Sequence, residues 1–457
     1  MLTTIVSFVV VLGVLIIIHE LGHFWVARLS GVGVERFSIG FGPVLWRVRT
    51  KATEYCISAI PMGGYVKMMG DDENPLESGG TGAVDPRRAF NTKPIWVRFL
   101  IVFAGPGMNF VLAAVIFALV FMTLGRPVLT AVIGRAVESG PAAAAGLQPG
   151  DRIVAVAGQP VRHWDEVVRA VQAIEGPPAE GRTAQPVELQ VVRAGAERRV
   201  TLTPVLGKER DILGESHAVW DLGARPLLPA VVGDAVPGEP AARAGMRGGD
   251  TVIEVQGRPV LSWEDMAEAI RKRGGQPTEI VVRRGEATER LIVTPNKVKD
   301  RAPDGSEIEV GRVGISPGGA GEFERSGPLR AVRDGVVRTG EVTALTALAF
   351  YKIVVGQLDR SNIGGPIQIA RAAGDQARQG PASLAFFAAV ISVNLAVLNL
   401  LPVPMLDGGH LLFFVIEGIL GRPLSVRKRE VAQQVGFVLL MLLMVYAVYN
   451  DLSRFFR

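Results

Sequence analysis

The chain has 457 residues, of which 48% are hydrophobic and 20% are charged, and its formal net charge is +5. This length allows about two or three domains. The basic residues concentrate beside apolar segments instead of forming one patch, which argues against a nucleic-acid partner and is typical of membrane orientation signals. The single cysteine, Cys56, excludes an internal disulfide.

Four apolar segments are long enough to predict membrane-spanning helices. The N-terminal segment has no basic residue before it and no small-residue cleavage site after it, so it predicts a retained span and not a removed signal peptide. A fifth stretch, residues 342–355, is short and carries Lys352, which is typical of an amphipathic segment on the membrane; whether it crosses stays open. The four predicted spans are residues 4–27, 99–125, 382–406 and 435–449.

Short loops rich in lysine and arginine follow the first and the third predicted spans. Because such loops stay in the cytoplasm, both chain ends and the long 126–380 region are expected on the opposite face of the membrane. The predicted fold class is therefore a polytopic α-helical membrane protein with four spans and a large external region.

The 126–380 region contains an internal repeat. Residues 141–151 read PAAAAGLQPGD, residues 240–250 read PAARAGMRGGD, and the same offset relates Trp164 to Trp263. Each copy predicts a short helix, a Gly-Asp turn, a strand and a second helix that begins near the tryptophan. The repeat indicates two copies of one α/β module, and its pattern resembles PDZ domains attached to bacterial proteases. The predicted domains are the first membrane half (1–125), two PDZ-like modules (126–222 and 223–300), a linker with the amphipathic segment (301–380) and the last two spans (381–457).

The first span contains the motif His19-Glu20-Leu21-Gly22-His23. Helix positions four apart lie on one face, so His19 and His23 can hold one zinc ion, and Glu20 then reaches the attacking water as general base. Burying these polar residues in an apolar span is costly, which favours a functional role over a cluster that is only hydrogen-bonded. The motif predicts zinc-dependent hydrolysis.

A catalytic zinc site needs a third protein ligand. Asp407, in Leu406-Asp407-Gly408 at the end of the third predicted span, is the preferred candidate. The first and third spans run in the same direction, which places it at the depth of the two histidines, and carboxylates inside the membrane are functional by default. A capping or turn role for Asp407 is the alternative, and the neighbouring His410 is a rival ligand.

These motifs, with two PDZ-like modules between them, resemble the site-2 protease family of intramembrane metalloproteases, and the pair of modules matches its sigma-E type. The resemblance extends over essentially the whole chain, including residues 40–43 (GFGP), 60–65 (IPMGGY) and 394–409. It implies that Asp407 is the third zinc ligand and that Glu20 is catalytic. It also implies that Asn399 helps to hold the substrate backbone.

The same resemblance implies a bacterial inner membrane location, with the active site toward the cytoplasmic side. Single-span membrane proteins already shortened by another protease, such as an anti-sigma factor, are the implied substrates, together with leftover signal peptides. The PDZ modules are then expected to screen access and to bind exposed C-termini.

Residues 54–68 contain β-prone residues interrupted by proline and glycine, which is typical of hairpin strands. A helical substrate must be unwound before cleavage, because its carbonyls are already hydrogen-bonded. We therefore expect these strands, including Gly63, Gly64 and Tyr65, to enter the membrane beside the zinc and to pair with the opened substrate as an added strand. A plain cytoplasmic hairpin is the alternative.

Two interruptions of the apolar pattern add candidates. In the second span, residues 105–109 read GPGMN; small residues permit close helix contact, and Asn109 can form a hydrogen bond across helices. This packing role and a direct role in substrate binding are equally favoured for Asn109. Pro402 and Pro404 break the third span shortly before Asp407, which is consistent with an irregular, water-accessible site or with a simple kink.

The sequence thus predicts a zinc metalloprotease that hydrolyses peptide bonds of single-span membrane proteins. Two other classes stay open: a non-proteolytic scaffold that binds C-termini through its PDZ modules, and a zinc sensor or transporter. The intact motif with a matching Asp407 argues against the scaffold, and the scarcity of polar residues along the second and fourth spans argues against the transporter. A Glu20→Gln chain that binds zinc and keeps its full cellular function would favour either alternative.

Overall fold

A computed structural model describes residues 2–50, 52–70, 85–176, 184–210, 216–301, 307–318, 322–357 and 364–453. The chain divides into two compact units, Met1–Gly125 together with Arg325–Arg457, and Arg126–Glu324. The first unit contains the apolar helices and the second contains the repeat. The division therefore follows the change in composition along the sequence.

The described residues form eleven α-helices and twenty strands, which fall into four stretches of the chain. The first stretch holds α1 (Leu2–Leu29), β1 (Val34–Arg49), β2 (Glu54–Met68), two short 3-10 turns (Pro86–Arg88 and Phe90–Thr92) and α2 (Ile95–Thr123). The second holds β3 (Arg126–Val128), β4 (Ile133–Ala136), α3 (Pro141–Ala144), β5 (Arg152–Val156), β6 (Gln159–Pro160), α4 (Trp164–Glu175), β7 (Val187–Arg193), β8 (Ala196–Leu202), β9 (Val205–Arg210), β10 (Ser216–Asp221) and β11 (Ala224–Pro226). The third holds β12 (Val232–Ala235), α5 (Pro240–Arg243), β13 (Thr251–Val255), β14 (Arg258–Pro259), α6 (Trp263–Arg271), β15 (Thr278–Arg284), β16 (Ala287–Val293), β17 (Asn296–Arg301), β18 (Glu307–Arg312), β19 (Ile315–Pro317) and β20 (Glu322–Glu324). The fourth holds α7 (Pro328–Val354), α8 (Pro366–Gln379), α9 (Pro381–Asn399), α10 (Asp407–Leu420) and α11 (Val426–Ser453).

Four of the described helices, α1, α2, α9 and α11, are long and apolar enough to cross a membrane. Each contains a long, mostly apolar stretch, and a helix satisfies its backbone groups internally, as the bilayer requires. The predicted number of spans is confirmed.

Glycines allow α1 and α2 to pack closely. A Cβ atom on Gly22 of α1 would lie 2.2 Å from the carbonyl oxygen of Ala104, and one on Gly105 of α2 would lie 2.2 Å from Nε2 of His23. Both distances are far shorter than a van der Waals contact, so only glycine permits this approach of the helices. The contact brings the face of α2 that carries Gly105 against the histidines of the first span.

The predicted amphipathic segment, residues 342–355, lies in the C-terminal half of the 27-residue helix α7. This helix packs along α2: a Cβ atom on Gly335 would lie 2.6 Å from the carbonyl oxygen of Ala114 and 2.8 Å from the backbone nitrogen of Ala118. α7 is not among the described helices that are apolar enough to span a membrane. Its role in the fold is to cover α2.

The strands β1 and β2 bend, so that together they form four segments of one small sheet. Residues 36–39 lie between residues 54–57 on one side and residues 64–67 on the other, while residues 44–49 pair with the outer side of the 54–57 segment. Gly40, with a positive φ of 91°, lies at the bend that follows residues 36–39. Residues 64–67 therefore form one edge of the sheet, and we call them the edge segment.

The third span ends earlier than predicted, which corrects the boundary at residue 406. α9 ends at Asn399, and α10 begins at Asp407. The loop between them contains Pro402 and Pro404, which lack a backbone N–H and disfavour helical geometry in the preceding residue. Asp407 is consequently the first residue of a helix and not the last residue of one.

The second unit contains two modules of the same topology. The strand order is β6-β5-β7-β8 in the first module and β14-β13-β15-β16 in the second, and α4 or α6 follows the corresponding short second strand. Each module has its own hydrophobic cluster; Val167 of α4 and Leu189 of β7 belong to the first, Met266 of α6 and Ile280 of β15 to the second. The repeat in the sequence thus corresponds to a repeat in topology.

An arginine anchors the Gly-Asp turn of each module. Arg193 donates to both carboxylate oxygens of Asp151 at 2.6 Å, and Arg284 does the same to Asp250 at 2.7 and 2.8 Å. Burial alone would raise the pKa of each aspartate, but the guanidinium and a backbone N–H donor hold both pKa values below the ordinary range. The pairs join the turn to the third strand of each sheet.

Strand pairing continues past residue 300, where a linker was predicted to begin. β17, Asn296–Arg301, pairs with β18, Glu307–Arg312; β19 pairs with β12, and β20 pairs with β3. These strands are short and mostly polar, so their sequences resemble a linker. The pairing of β20 with β3 closes the second unit at the point where it begins.

Candidate active site and metal centre

Side chains from two helices of the first unit meet in one cluster. Nε2 of His19 lies 3.1 Å from Oδ2 of Asp407, Nε2 of His23 lies 3.6 Å from Oδ1 of Asp407, and the two Nε2 atoms are 3.2 Å apart. Both histidines are buried, and Asp407 is partly buried. The structure thus brings together the three predicted ligands.

The geometry of this cluster fits a bound metal ion. One donor atom from each of His19, His23 and Asp407 lies within 4.8 Å of the others, and two imidazoles with one carboxylate form a donor set that zinc uses in catalytic sites. A Cβ atom on Gly105 would lie 2.2 Å from Nε2 of His23 and 2.9 Å from Nε2 of His19. The space in front of the two Nε2 atoms therefore exists because residue 105 is glycine and has no side chain.

Groups on α2 contact the other nitrogen of each imidazole. Nδ1 of His23 lies 2.9 Å from the carbonyl oxygen of Ile101, and Nδ1 of His19 lies 3.3 Å from the side-chain amide of Asn109. Because a carbonyl oxygen can only accept, Nδ1 of His23 carries the proton and its Nε2 is available as a ligand. Such contacts behind the ligands orient the rings toward a metal.

A tight loop positions Asp407 at the start of α10. Met405 has a positive φ of 101°, which is unusual for a residue with a side chain. Cβ atoms on Gly408 and Gly409 would lie 2.2 Å from the carbonyl oxygen of Leu401 and 2.5 Å from that of Val403. The two glycines after Asp407 are thus required by the close approach of the loop, which explains the Asp-Gly-Gly sequence.

Glu20 lies beside the edge segment. A Cβ atom on Gly64 would come within 3.0 Å of Cγ of Glu20 and 3.2 Å of Ile16, both on α1. A side chain at residue 64 would crowd Glu20 and Ile16, so glycine favours this close approach of the edge segment to α1. Glu20 itself is partly buried and follows His19 in the motif.

The other predicted site residues lie in different surroundings. Gly63 has a φ of 149° and packs against the ring of Phe41, while Tyr65 accepts a hydrogen bond from Arg36 at 3.3 Å. Asn399 is the partly buried last residue of α9. Among the described residues, the metal-type cluster contains Asp407 but does not contain the rival His410.

The sequence predicted close helix contact at residues 105–109 and a hydrogen bond from Asn109 across helices, but it missed Ile101 and the contact of this face of α2 with the two histidines. Ile101, Gly105 and Asn109 are spaced by four residues, so they lie on one face of the helix and contact the histidines through two turns. His19 and His23 on α1 are also four residues apart, and this shared spacing was the signal in the sequence that could have indicated the contact. Gly436 of α11 was also missed; a Cβ atom there would lie 1.9 Å from the carbonyl oxygen in the loop at residue 404.

Comparison with known proteins places the chain among membrane proteases. The sequence model of the family described as Peptidase family M50 matches residues 7–443. The chain is 36% identical over 454 residues to the Regulator of sigma-E protease RseP of Salmonella typhimurium (strain 14028s / SGSC 2262) and 36% identical over 460 residues to that of Escherichia coli (strain K12). It is also 36% identical over 469 residues to a "Putative zinc metalloprotease" of Vibrio cholerae. In all three cases 98% of each chain is covered.

Among solved structures, the PDZ domain of an SdrC-like protein from Listeria monocytogenes is similar to part of the chain. It is 20% identical, covers 19% of this chain and 83% of its own, and has a TM-score of 0.15.

Proposed function

Since this chain belongs to Peptidase family M50 and is a membrane zinc metalloprotease, we propose that His19, His23 and Asp407 hold the zinc ion and that Glu20 is the general base. The observation that carries this proposal is the convergence of the three donor groups within 4.8 Å of one another. Three protein ligands leave a fourth position open, as catalytic zinc sites require.

The residues around the site then perform peptide hydrolysis. A zinc ion at these ligands supplies Lewis-acid activation of water and of the peptide carbonyl. Glu20 accepts a proton from the attacking water while the water oxygen bonds to the carbonyl carbon. Glu20 then delivers that proton to the amine nitrogen as the C–N bond breaks. Asn399, at the end of α9, holds the substrate backbone beside the loop that leads to Asp407.

The edge segment is the proposed binding site for the unwound substrate. In the described part of the chain, β1 and β2 form a sheet with no further strand, and residues 64–67 lie at its edge, where a substrate strand can be added. An extended substrate added there would pass Glu20, because Gly64 is in contact distance of that side chain. Gly63 and Tyr65 lie in the same strand, β2, on either side of Gly64.

The proposed substrates are single-span membrane proteins whose external part has already been shortened. The relatives from Salmonella typhimurium and Escherichia coli are named regulators of sigma-E, which supports an anti-sigma factor as a substrate; remnant signal peptides are a second group. The two PDZ-like modules, assigned to residues 126–222 and 223–300, screen access and bind exposed C-termini.

The proposed location is the bacterial inner membrane. Both termini and the PDZ-like modules lie on the periplasmic side, and the zinc site lies toward the cytoplasmic side. The distribution of lysine and arginine in the short loops supports this orientation. Membership of a peptidase family argues against the scaffold and against the zinc sensor or transporter.

Cleavage of a tagged single-span protein by the purified full-length chain tests this function. Two substrate forms are compared, one with an intact external domain and one shortened on that side. We expect cleavage of the shortened form, loss of cleavage after treatment with a zinc chelator, and recovery when zinc is added back. Cleavage that is unaffected by chelation would contradict the zinc mechanism, and equal cleavage of both forms would contradict the access filter.

A further inference from the structure

One face of α2 lies against the two histidines that are proposed to hold zinc. Ile101 contacts Nδ1 of His23, Asn109 contacts Nδ1 of His19, and Gly105 lies between them. The contact at Ile101 is made by a backbone carbonyl and does not depend on the side chain. Asn109 is therefore the one side chain on this face, within the described residues, that contacts an imidazole nitrogen.

The side chain of Asn109 is completely buried, with 0% exposure. Its Oδ1 atom has no hydrogen-bond partner among the described residues, although Nδ2 is placed 3.3 Å from Nδ1 of His19. The two ends of an amide are interchangeable by a half-turn of the side chain, so the hydrogen-bond partner decides the orientation. That partner is His19.

The tautomer of His19 selects one orientation. If Nε2 binds zinc, Nδ1 carries the proton and can only donate, so it requires an acceptor. The amide nitrogen of Asn109 is a donor and would oppose that N–H group, whereas Oδ1 accepts it. Conversely, an amide N–H facing Nδ1 would favour the proton on Nε2 and block the ligand position.

The backbone of Asn109 is held in place by α9. The hydroxyl group of Ser392 donates to the carbonyl oxygen of Asn109 at 2.8 Å, and Ser392 is fully buried. This bond links α2 and α9 at the level of His19. The amide group is thus presented to the imidazole from a fixed backbone position.

We propose that Asn109 is a positioning residue for the zinc site: its Oδ1 accepts the Nδ1 proton of His19 and thereby sets the tautomer and the orientation of this ligand. This role replaces both the substrate-binding role and the plain packing role considered for Asn109 from the sequence. The proposal rests on the proposed zinc site. It requires no contact between Asn109 and the substrate.

The test is the zinc dissociation constant of the full-length protein, measured by competition with a chelating indicator. Removal of the acceptor in Asn109→Ala is expected to weaken zinc binding about 10- to 100-fold, the usual effect of losing a partner behind a metal ligand. Asn109→Asp keeps an acceptor oxygen at the same place and is expected to retain most of the affinity. Asn394→Ala is the matched control: Asn394 also lies in a membrane helix, but its Oδ1 accepts a hydrogen bond from Thr346 at 2.7 Å and not from an imidazole. The zinc affinity of this variant should equal that of the wild type.

Kinetics at saturating zinc separates the positioning role from a substrate role. The Asn109→Ala variant should then regain cleavage with an unchanged KM. Wild-type affinity in Asn109→Ala together with a raised KM would overturn the proposal in favour of substrate binding, and equally weak binding by the Ala and Asp variants would overturn it in favour of packing. If the wild type itself bound no zinc, the zinc site would fail, and the role of Asn109 would fail with it.

Discussion

At the scale of single residues, the absence of a side chain at Gly105 is as important to the site as the ligands themselves. The α2 backbone approaches both imidazoles so closely that a methyl group on residue 105 would lie 2.2 Å from Nε2 of His23. That methyl group would fall among the donor atoms proposed for zinc. The neighbouring Gly107 has no such constraint, because its nearest contact would be the Phe103 ring at 3.6 Å.

The substitution Gly105→Ala is therefore expected to abolish zinc binding while the helix stays intact, since alanine favours helical structure more than glycine does. Zinc content measured on the purified protein should fall from about one ion per chain to nearly none. Gly107→Ala serves as the control and should keep its zinc. Full zinc occupancy in Gly105→Ala would show that α2 can move away and that the site does not depend on this contact.

At the scale of elements, the two edges of the β1–β2 sheet are unequal. The edge segment, residues 64–67, contacts α1 next to Glu20, whereas the opposite edge, residues 44–49, exposes Leu45 and Trp46. If the substrate adds a strand at the edge segment, only that edge needs free backbone donors. Residues 44–49 therefore serve as a control for substitutions in the edge segment.

Single proline substitutions along each edge test this arrangement. Proline removes a backbone N–H, so at outward-facing positions of the edge segment it should lower cleavage strongly without unfolding the protein. The same substitutions at residues 44–49 should have little effect on cleavage. Circular dichroism and zinc content report whether the fold is intact, and unchanged cleavage in a folded edge-segment series would exclude strand addition there.

The Gly-Asp turns make a second element-scale prediction. Asp151→Asn removes the charged partner of Arg193 and is expected to lower the free energy of unfolding of the first module by about 2 kcal/mol, since hydrogen bonds to charged groups are worth more than neutral ones. Asp165→Asn is the control; its pair with Arg169 is exposed on both sides and contributes little. Pulse proteolysis in urea measures both variants.

The same pair gives the module a defined pH dependence. The pKa of Asp151 is lower in the folded state than in the unfolded chain, so the stabilisation is present above the unfolded value and is lost as the pH falls through the folded value. We expect the first module to lose stability below about pH 4, the range of an unperturbed aspartate, and Asp151→Asn to lose less. A parallel loss in both proteins would assign the acid sensitivity to other groups.

Particular elements show what the sequence could and could not predict. Helix periodicity alone places His19 and His23 on one face, and comparison of the sequence with itself reveals the repeat. Both features could therefore be predicted from the sequence. The partner of Asp151 was not, because Arg193 is 42 residues away and is brought near by sheet pairing. The end of α9 at Asn399 was misplaced because an apolar run continues through the prolines of the following loop.

At the scale of the whole molecule, a helical membrane unit carries the metal-type cluster and a second unit contains two repeated modules. The family match over residues 7–443 confirms the predicted peptidase class, and the relative named a zinc metalloprotease together with the metal-type cluster confirms the zinc cofactor. The fold class agrees with four candidate spans and β-rich modules. The assignment of Glu20, the substrate and the membrane orientation stay predictions. Of these, the role of Glu20 decides whether the cluster is an active site.

The most direct test measures zinc content and cleavage of a shortened single-span substrate on the same preparations of wild type and Glu20→Gln. We expect about one zinc ion per chain in both proteins and cleavage by the wild type alone, because glutamine cannot take the proton from water. Equal cleavage by both proteins would contradict the role of Glu20. Zinc in both proteins with cleavage in neither would contradict the proposed proteolysis of such substrates.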